Sequence, residues 1–294
     1  MTRAAGIDVG GTKCLGVVID LDAEISDEHD IVRQVRHPTP HASELVDTLR
    51  SIVDELGEVD SIGVGVPGLI TLDGVMRASP NIPGSIDVAV GPELSQRLAR
   101  HVYVDNDGNA AALAEWRYGA GRGAKNMWMV TLGTGIGGGH VLNGVLQHGV
   151  NGFAGEVGHM VVNPDGPRCT CGRKGCWEVY ASGRGLRMLA SGEPGESVMM
   201  RAREGDADAV TVIEAYARWV AIGISNITNI SDPDVIVIGG GVSESVDVVM
   251  PIIQRWFVET LYSPEQRAHP ELRVAQLGEH AGAIGAALLA QTAT

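Results

Sequence analysis

Three clusters of glycine, each following a short apolar segment, constrain the fold of this chain more than any other feature. The clusters are Gly10-Gly11, Gly133 to Gly139, and Gly239 to Gly241. A glycine turn lets backbone N–H groups converge on a phosphate because no Cβ atom stands in the way. One such cluster could be only a tight turn. Three at predicted strand ends, two of them with an adjacent threonine (Thr12, Thr134), favour nucleotide binding.

None of the three clusters has the sequence of a common phosphate-binding turn. A P-loop needs Gly-x4-Gly-Lys-Ser/Thr at the start of a helix, and a dinucleotide fingerprint also leads into a helix. Here Gly10-Gly11 leads into a second apolar segment, Cys14 to Ile19. Short strands that alternate with predicted helices, such as 43–56, 207–230 and 281–289, indicate an α/β fold. The strand–turn–strand pattern recurs near residue 127, which predicts two domains.

Two polar residues next to the first turn are candidates for binding a nucleotide. The Asp8 carboxylate could hold Mg²⁺ through water, because Mg²⁺ prefers oxygen ligands and keeps several waters. It could instead cap the turn. Lys13 could reach a phosphate, or it could be an exposed strand lysine.

The 294 residues are enough for two domains, and the net charge of −14 narrows the classes of partner. We expect no nucleic-acid binding, which needs a basic face. The first predicted strand begins near the first residue, so we expect no signal peptide. Glycine and aspartate interrupt the longest apolar segments, which argues against a membrane-spanning helix. We therefore expect a cytoplasmic protein whose cysteines are free thiols or metal ligands.

A cluster of histidine and cysteine lies in an irregular polar segment in the middle of the chain. The cluster consists of His159, Cys169, Cys171 and Cys176. These ligand types fit a tetrahedral Zn²⁺ site, and three thiolates without a spare acid–base group favour a closed structural site. Glu156 and Glu178 flank the cluster, so a bound metal would hold both carboxylates in one geometry.

Taken together, these motifs resemble those of the ROK sugar kinases (repressors, open reading frames, kinases), over nearly the whole chain. The matching segments are Asp8–Lys13, Asn81–Gly84, Asp105–Ala111, Leu132–Gly139, Gly155–His159 and Cys169–Glu178. The cysteine segment is the most specific of them, and it is most similar to that of bacterial glucokinases.

The resemblance implies an actin/hexokinase-like (ribonuclease H-like) fold, with two α/β domains and the active site in the cleft between them. It places a small α/β domain at residues 1–110, completed by a C-terminal helix at about 281–294. Residues 111–280 would form a large α+β domain with the zinc-binding loop. The family also suggests a homodimer or homotetramer.

The resemblance further implies ATP-dependent phosphorylation of a hexose, with glucose preferred, at its 6-hydroxyl. Asp107 would be the general base. The sugar-binding residues would be Gly65, Asn81, Asn106, Asp107, Glu156, His159 and Glu178. The residues for ATP and Mg²⁺ would be Asp8, Gly10, Gly11, Thr12, Lys13, Thr131, Gly133, Thr134, Gly135, Gly239, Gly240 and Gly241. His159 would serve both sites, with one ring nitrogen on Zn²⁺ and the other on the sugar.

Asp105 is the alternative base. We prefer Asp107 because it follows Asn106 and precedes a predicted helix, whose N-terminus also attracts anionic phosphate. Either aspartate could instead be a helix cap. Two positions depart from the family pattern: Gly108 stands where alanine is common, and Ser85 stands where many glucokinases carry an aromatic residue. The second departure bears on sugar preference.

Other functions from the same and from different classes compete with a glucokinase. The sugar could be fructose, mannose, N-acetylglucosamine or N-acetylmannosamine, and the donor could be polyphosphate. A polyphosphate site would favour clustered lysines near the glycine turns, and their absence from the sequence favours ATP. A sugar-responsive repressor of the family would carry an N-terminal helix-turn-helix, for which the sequence before Asp8 leaves no room. An actin-like ATPase would not need the Glu156, His159 and Glu178 group.

Overall fold

The computed structural model describes residues 2–26, 28–241 and 245–292. The chain forms two compact units, and the first of them is assembled from three separate segments. The first unit comprises Met1–Gly123, Gly139–Gly155 and Gln276–Thr294, and the second comprises Ala124–Gly138 and Glu156–Ala275.

Strands and helices alternate along most of the chain, as expected of an α/β fold. The strands are β1 (Arg3–Val9), β2 (Lys13–Asp20), β3 (Arg33–Pro38), β4 (Ser61–Val66), β5 (Leu69–Ile70), β6 (Met76–Ala78), β7 (Ile86–Val88), β8 (Tyr103–Asn106), β9 (Asn126–Leu132), β10 (Ile136–Leu142), β11 (Val145–Leu146), β12 (Val235–Gly239) and β13 (Glu271–Val274). The helices are α1 (Leu45–Leu56), α2 (Val90–Leu98), α3 (Asp107–Arg117), α4 (Glu178–Ala181), α5 (Gly183–Leu189), α6 (Gly195–Arg203), α7 (Ala207–Ser231), α8 (Val246–Thr260) and α9 (Ala281–Thr292).

The first sheet brings three site residues to one edge. Its strand order is β3-β2-β1-β4-β8, in which β1 to β3 are antiparallel and β1, β4 and β8 are parallel. Asp8 on β1 pairs with Gly65 on β4, and Gly65 pairs with Asp105 on β8. Because parallel strands end at the same edge of a sheet, Asp8, Gly65 and the β8–α3 junction lie side by side there.

Helix α9 packs against the first sheet at distances that only glycine allows. A Cβ atom on Gly6 of β1 would lie 2.0 Å from the Ala283 carbonyl oxygen, and one on Gly63 of β4 would lie 1.8 Å from that of Ala286. On the other side of the helix, a Cβ on Gly285 would lie 1.7 Å from the carbonyl oxygen of Ala110 in α3. Helix α9 is therefore held between the sheet and α3 as the centre of the first unit.

The second sheet has the order β11-β10-β9-β12-β13, and its core is formed with the long helix α7. The apolar face of α7 is buried along most of its length, as the 3.6-residue period predicts. The fully buried Trp177 lies against this helix, where a Cβ on Gly223 would be 1.9 Å from the indole ring. The Trp177 indole N–H donates to the Trp219 carbonyl at 2.7 Å. This packing fixes the chain immediately before Glu178.

The helices predicted for 43–56, 207–230 and 281–289 correspond to α1, α7 and α9. Helix α2 ends at Leu98, because Ala99 adopts a left-handed conformation at φ 51°. The predicted irregular segment 152–178 contains one short 3-10 turn, Val157–His159. The sheet of β5, β6 and β7 was not predicted, since strands of two or three residues carry no periodic pattern. Among the described helices, none combines the length and apolar character needed to cross a bilayer.

Candidate active site and metal centre

The β8–α3 loop, defined as residues 105–109 where strand β8 leads directly into helix α3, presents two carboxylates in different surroundings. Asp107 is the first residue of α3, and Asn106 caps the helix by accepting from the N–H groups of Gly108 and Asn109 at 2.8 and 3.2 Å. Asp107 itself accepts from the Gly108 N–H at 2.9 Å. Burial raises the pKa of Asp107 to about 6, although the bond from Gly108 opposes the shift. The group is therefore a carboxylate at neutral pH and can still accept a proton.

Asp105 differs because protein donors occupy both of its oxygens. Oδ1 accepts from the Asn106 N–H at 2.7 Å and from the Asn109 side-chain amide at 2.9 Å. Oδ2 is 2.7 Å from the His148 Nε2. The side chain is only 8% exposed. These contacts make Asp105 a structural anchor of the loop.

The first glycine turn lies directly beside this edge. Asp8 precedes it, and burial raises the pKa of Asp8 to about 7, with the nearby Asp107 carboxylate adding to the effect. A Cβ on Gly282 would lie 2.6 Å from the Asp8 carboxylate carbon, so the start of α9 covers this carboxylate closely. Asp8 and Asp107 are both partly buried, and two carboxylates in proximity favour a cation beside them.

The rest of the first turn, whose tip is more exposed than Asp8, forms hydrogen bonds and an ion pair with groups other than the Asp8 and Asp107 carboxylates. The Gly10 N–H donates to the Lys13 carbonyl at 2.9 Å, which closes the turn, and Gly11 and Thr12 are exposed at its tip. The Lys13 ammonium forms an ion pair with Glu279, which also accepts from Arg36 at 2.7 Å. Lys13 is thus engaged with a carboxylate of its own unit.

The second unit carries the other two glycine turns. The Gly133 N–H donates to the Gly135 carbonyl at 3.0 Å, and the Gly137 N–H donates to Thr131 Oγ1 at 3.1 Å. Arg184 donates to the Thr134 carbonyl at 2.9 Å. After β12, Gly240 has a φ of 84°, and a Cβ there would lie 2.5 Å from the Leu132 carbonyl oxygen. Gly239 to Gly241 therefore lie next to the end of β9, beside the second turn.

Glu156, His159 and Glu178 come together in the second unit. His159 Nε2 lies 3.8 Å from Glu156 Oε2, and its Nδ1 lies 3.7 Å from Cys169 Sγ. Glu178 is buried, with one oxygen 2.9 Å from Cys169 Sγ and the other 3.4 Å from the Ile136 N–H. Glu178 thereby connects the cysteine segment to the second glycine turn.

The four predicted metal ligands converge as the sequence predicts. The ligand atoms of His159, Cys169, Cys171 and Cys176 all lie within 4.8 Å of one another. Cys171 Sγ and Cys176 Sγ are 3.6 Å apart, close to the roughly 3.5–3.8 Å that Zn–S and Zn–N bonds impose on a tetrahedron. The backbone supports the loop: the Cys169 N–H donates to the Arg173 carbonyl at 2.8 Å. The donor set and its spacing fit one soft divalent metal ion.

Asn81 lies on an exposed loop that Ser85 closes. Ser85 is buried, its hydroxyl donates to the Ser79 carbonyl at 2.7 Å, and it accepts from the Ser79 N–H at 3.0 Å. The small residue at this position thus has a structural role that an aromatic side chain would not perform.

The sequence did not predict the contacts of His148, Gly282 and Glu279. Each lies far along the chain from its partner, and no motif marks it.

A comparison with protein families matches the ROK family over residues 4–293. The chain belongs to the ROK family. It is 38% identical to a glucokinase of Halalkalibacterium halodurans, over 95% of this chain and 92% of that one. It is 35% identical to an N-acetylmannosamine kinase of Escherichia coli, over 99% of both chains. A crystal structure of a ROK glucokinase from Streptomyces griseus with glucose and AMPPNP superposes with a TM-score of 0.86, at 35% identity and 98% coverage of both chains.

These comparisons confirm the predicted family and the predicted two-domain α/β ROK sugar kinase fold. The individual site residues of this ROK protein stay predictions, now with defined positions. The first unit holds Asp8, the first glycine turn, Gly65, Asn81 and the β8–α3 loop. The second unit holds Gly133 to Gly138 of the second glycine turn, the third glycine turn, Glu156, Glu178 and the four candidate metal ligands.

Proposed function

We propose that this ROK protein is a glucokinase that transfers the γ-phosphoryl group of ATP to the 6-hydroxyl of glucose. The observation that carries the proposal is the contrast between Asp107 and Asp105. Asp107 combines a raised pKa of about 6 with a position at the N-terminus of α3, whereas both oxygens of Asp105 are bonded within the protein. The glucokinase relatives, at 34–38% identity over nearly the full chain, support the same reaction.

The reaction needs one general base and strong neutralisation of phosphate charge. The glucose 6-hydroxyl oxygen bonds to the γ-phosphorus while the bond from that phosphorus to the β–γ bridging oxygen breaks. ADP leaves with the electron pair of the broken bond. The hydroxyl proton passes to Asp107. Asp8 would hold the Mg²⁺ that neutralises the phosphates, and the turns at Gly10 and Gly133 would bind them through backbone N–H groups.

The sugar would be held by side-chain amides and carboxylates, by one imidazole and by the backbone at Gly65. The proposed set is Gly65, Asn81, Asn106, Glu156, His159 and Glu178. Each buried sugar hydroxyl left without a partner would cost roughly 1–3 kcal/mol, so a set of this size is needed. The thiolates and the His159 Nδ1 would hold Zn²⁺, which supplies cohesion to the loop and no reaction step. The His159 Nε2, on the side of Glu156, would face the sugar.

The second candidate is a kinase for another hexose or for an N-acetylhexosamine. The 35% identity to an N-acetylmannosamine kinase over 99% of the chain supports this second candidate function. Epimers differ by the position of one hydroxyl, and an N-acetyl group adds bulk at carbon 2.

A coupled kinase assay of the purified protein over a panel of sugars, with ATP and with polyphosphate, tests the function. We expect the highest kcat/KM for glucose with ATP. Asp107→Ala should have no measurable kinase activity, although circular dichroism should show that it is folded. A higher kcat/KM for N-acetylmannosamine or for polyphosphate would replace the proposed substrate. Substantial activity of folded Asp107→Ala would overturn the base assignment. Light scattering would test the proposed homodimer or homotetramer.

A further inference from the structure

The β8–α3 loop contacts a histidine, His148, that lies outside the motifs identified in the sequence. His148 lies after β11, and its Nε2 is 2.7 Å from Asp105 Oδ2. A carboxylate only accepts hydrogen bonds, so the imidazole donates. The bond raises the pKa of His148, which favours the protonated, donating ring.

Asp105 passes this contact on to the first turn of α3. Its other oxygen accepts from the Asn106 backbone and from the Asn109 side chain. Asn106 in turn caps α3 through Gly108 and Asn109, and its side-chain amide donates to the Gly68 carbonyl at 3.0 Å. The chain of hydrogen bonds therefore runs from His148 through Asp105 to Asn106, and from Asn106 to Gly108. Asn106 and Gly108 are the residues on either side of Asp107.

The backbone of His148 is fixed by a hydrogen bond, and its side chain borders a cavity. Its carbonyl accepts from the Ala154 N–H at 3.0 Å, and Gly149 follows in a left-handed conformation. A cavity of about 200 Å³ is lined by both members of the pair and by Thr71, Asp73, His101 and Tyr103. The His148 side chain is 31% exposed, whereas Asp105 is 8% exposed. A small molecule can therefore diffuse from solution to the position that the His148 side chain occupies.

We propose that His148 is a positioning residue for the phosphoryl transfer: it holds Asp105, and through Asp105 it sets the orientation of Asn106 and Asp107. The proposal rests on the proposed kinase function for its kinetic consequence. Its structural content, the ordering of the loop by His148, does not depend on that function. Without the donor, one oxygen of a buried carboxylate loses its partner, and the loop relaxes to solvate it.

The test compares His148→Ala, His148→Gln and His101→Ala in the full chain. His148→Ala should lower kcat by roughly tenfold to a hundredfold, since misplacing a reacting group by about 1 Å carries a cost of that order. The KM for ATP should not change. His148→Gln keeps an N–H donor at the same reach and should retain most of the kcat. His101→Ala, a change on the wall of the same cavity, should match the wild type.

Two further measurements separate positioning from a general structural role. Added imidazole should restore the kcat of His148→Ala, because the cavity admits it to the vacated place. In an Asp105→Asn background, His148→Ala should cause no further loss of kcat. Folded His148→Ala with unchanged kcat, His148→Gln as impaired as His148→Ala, or additive losses in the double variant would each overturn the proposal.

Hydrogen exchange keeps the two proposals distinguishable. The amides of Gly108 and Asn109 should exchange faster in His148→Ala than in the wild type, and His148→Gln should restore their protection. If the wild type phosphorylates no sugar, the proposed function fails while the exchange result still decides the role of His148. Unchanged protection in His148→Ala would overturn the positioning role whatever the activity.

Discussion

Asp105 and Asp107 are two residues apart, yet burial and hydrogen bonding give them different roles. The protein satisfies Asp105 with three donors, whereas the Asp107 carboxylate receives a bond from the Gly108 N–H of its own helix turn. Burial without full compensation disfavours the charged form of Asp107 and brings its pKa to about 6. A base with a pKa just below neutrality is suited to taking a proton at physiological pH.

This raised pKa predicts opposite effects of pH on activity and on stability. The kcat/KM for glucose should rise with pH through about 6 and then level off, because Asp107 acts as the carboxylate. Stability should change in the other direction. Because the pKa of Asp107 in the folded protein lies above the ordinary value of 3.8, the free energy of unfolding should decrease as the pH rises from about 4 to 6. Asp107→Asn should therefore be inactive and should melt higher than the wild type at pH 8.

Melting curves of both proteins at pH 5 and pH 8 check this prediction. The difference in melting temperature should be smaller at pH 5, where most of the wild-type Asp107 is already protonated. A variant that melts lower than the wild type at pH 8 would contradict the assigned cause of the pKa shift. The pH profile of kcat/KM, measured with the same buffers, should place the acid limb near the same value.

At the scale of elements, the packing of α9 against the first sheet depends on glycine. The backbone of α9 approaches β1 and β4 so closely that no Cβ fits at Gly6 or Gly63. These glycines read in the sequence as ordinary members of apolar strands, and only the position of α9 explains them. The approach fixes the start of α9, and so Gly282, over the Asp8 carboxylate.

Gly63→Ala should destabilise the protein through this packing. The added methyl group would lie 1.8 Å from the Ala286 carbonyl oxygen, and backbone cannot yield as a flexible side chain can. We expect a loss at the upper end of the ~1–3 kcal/mol typical of overpacking, measured by urea unfolding. Gly11→Ala is the matched control for unfolding, since nothing lies within 4 Å of a Cβ there. Equal stability of the two variants would contradict the close approach of α9.

Local sequence patterns predict several of the elements but not the contacts between elements that are distant along the chain. The strands around Asp8 and Val235, the helices α1 and α7, and the convergence of the four metal ligands follow from local patterns and spacing. The pairing of His148 with Asp105 joins positions 43 apart, and the contact of Gly282 with Asp8 joins opposite ends of the chain. Such contacts depend on how elements pack, which no local period encodes. The base Asp107 was chosen through family resemblance, and its surroundings now provide a physical reason.

A metal ion bound by His159, Cys169, Cys171 and Cys176 would stabilise a segment that has little regular structure. Residues 152–178 contain one short 3-10 turn and isolated bridges, so backbone pairing contributes little to their order. The four candidate ligand atoms lie within 4.8 Å of one another, so a bound ion would connect the separated parts of the segment next to Glu156 and Glu178. Metal binding to such a site is coupled to folding, because the unfolded chain does not preform it.

Elemental analysis of the purified protein should therefore find about one zinc per chain. Removal of the metal with a chelator should lower the melting temperature and abolish glucose binding by calorimetry, and added Zn²⁺ should restore both. Cys14→Ser, at the cysteine outside the cluster, should keep the metal content, whereas Cys171→Ser should lose it. Metal-free protein with unchanged melting and full activity would refute the structural role.

The discontinuous first unit has a consequence for how the protein is made. Its central helix, α9, lies in the last of the three segments that build it, and β1 and β4 cannot bury their glycine faces until that helix arrives. During translation, β1 and β4 emerge long before Ala281–Thr292, so the apolar face that α9 covers stays exposed until that helix has been made. The second unit, whose strands and helices are synthesised earlier, can fold in the meantime. Premature termination shortly before Ala281 would thus release a chain in which one half is folded and the other is a substrate for chaperones and proteases.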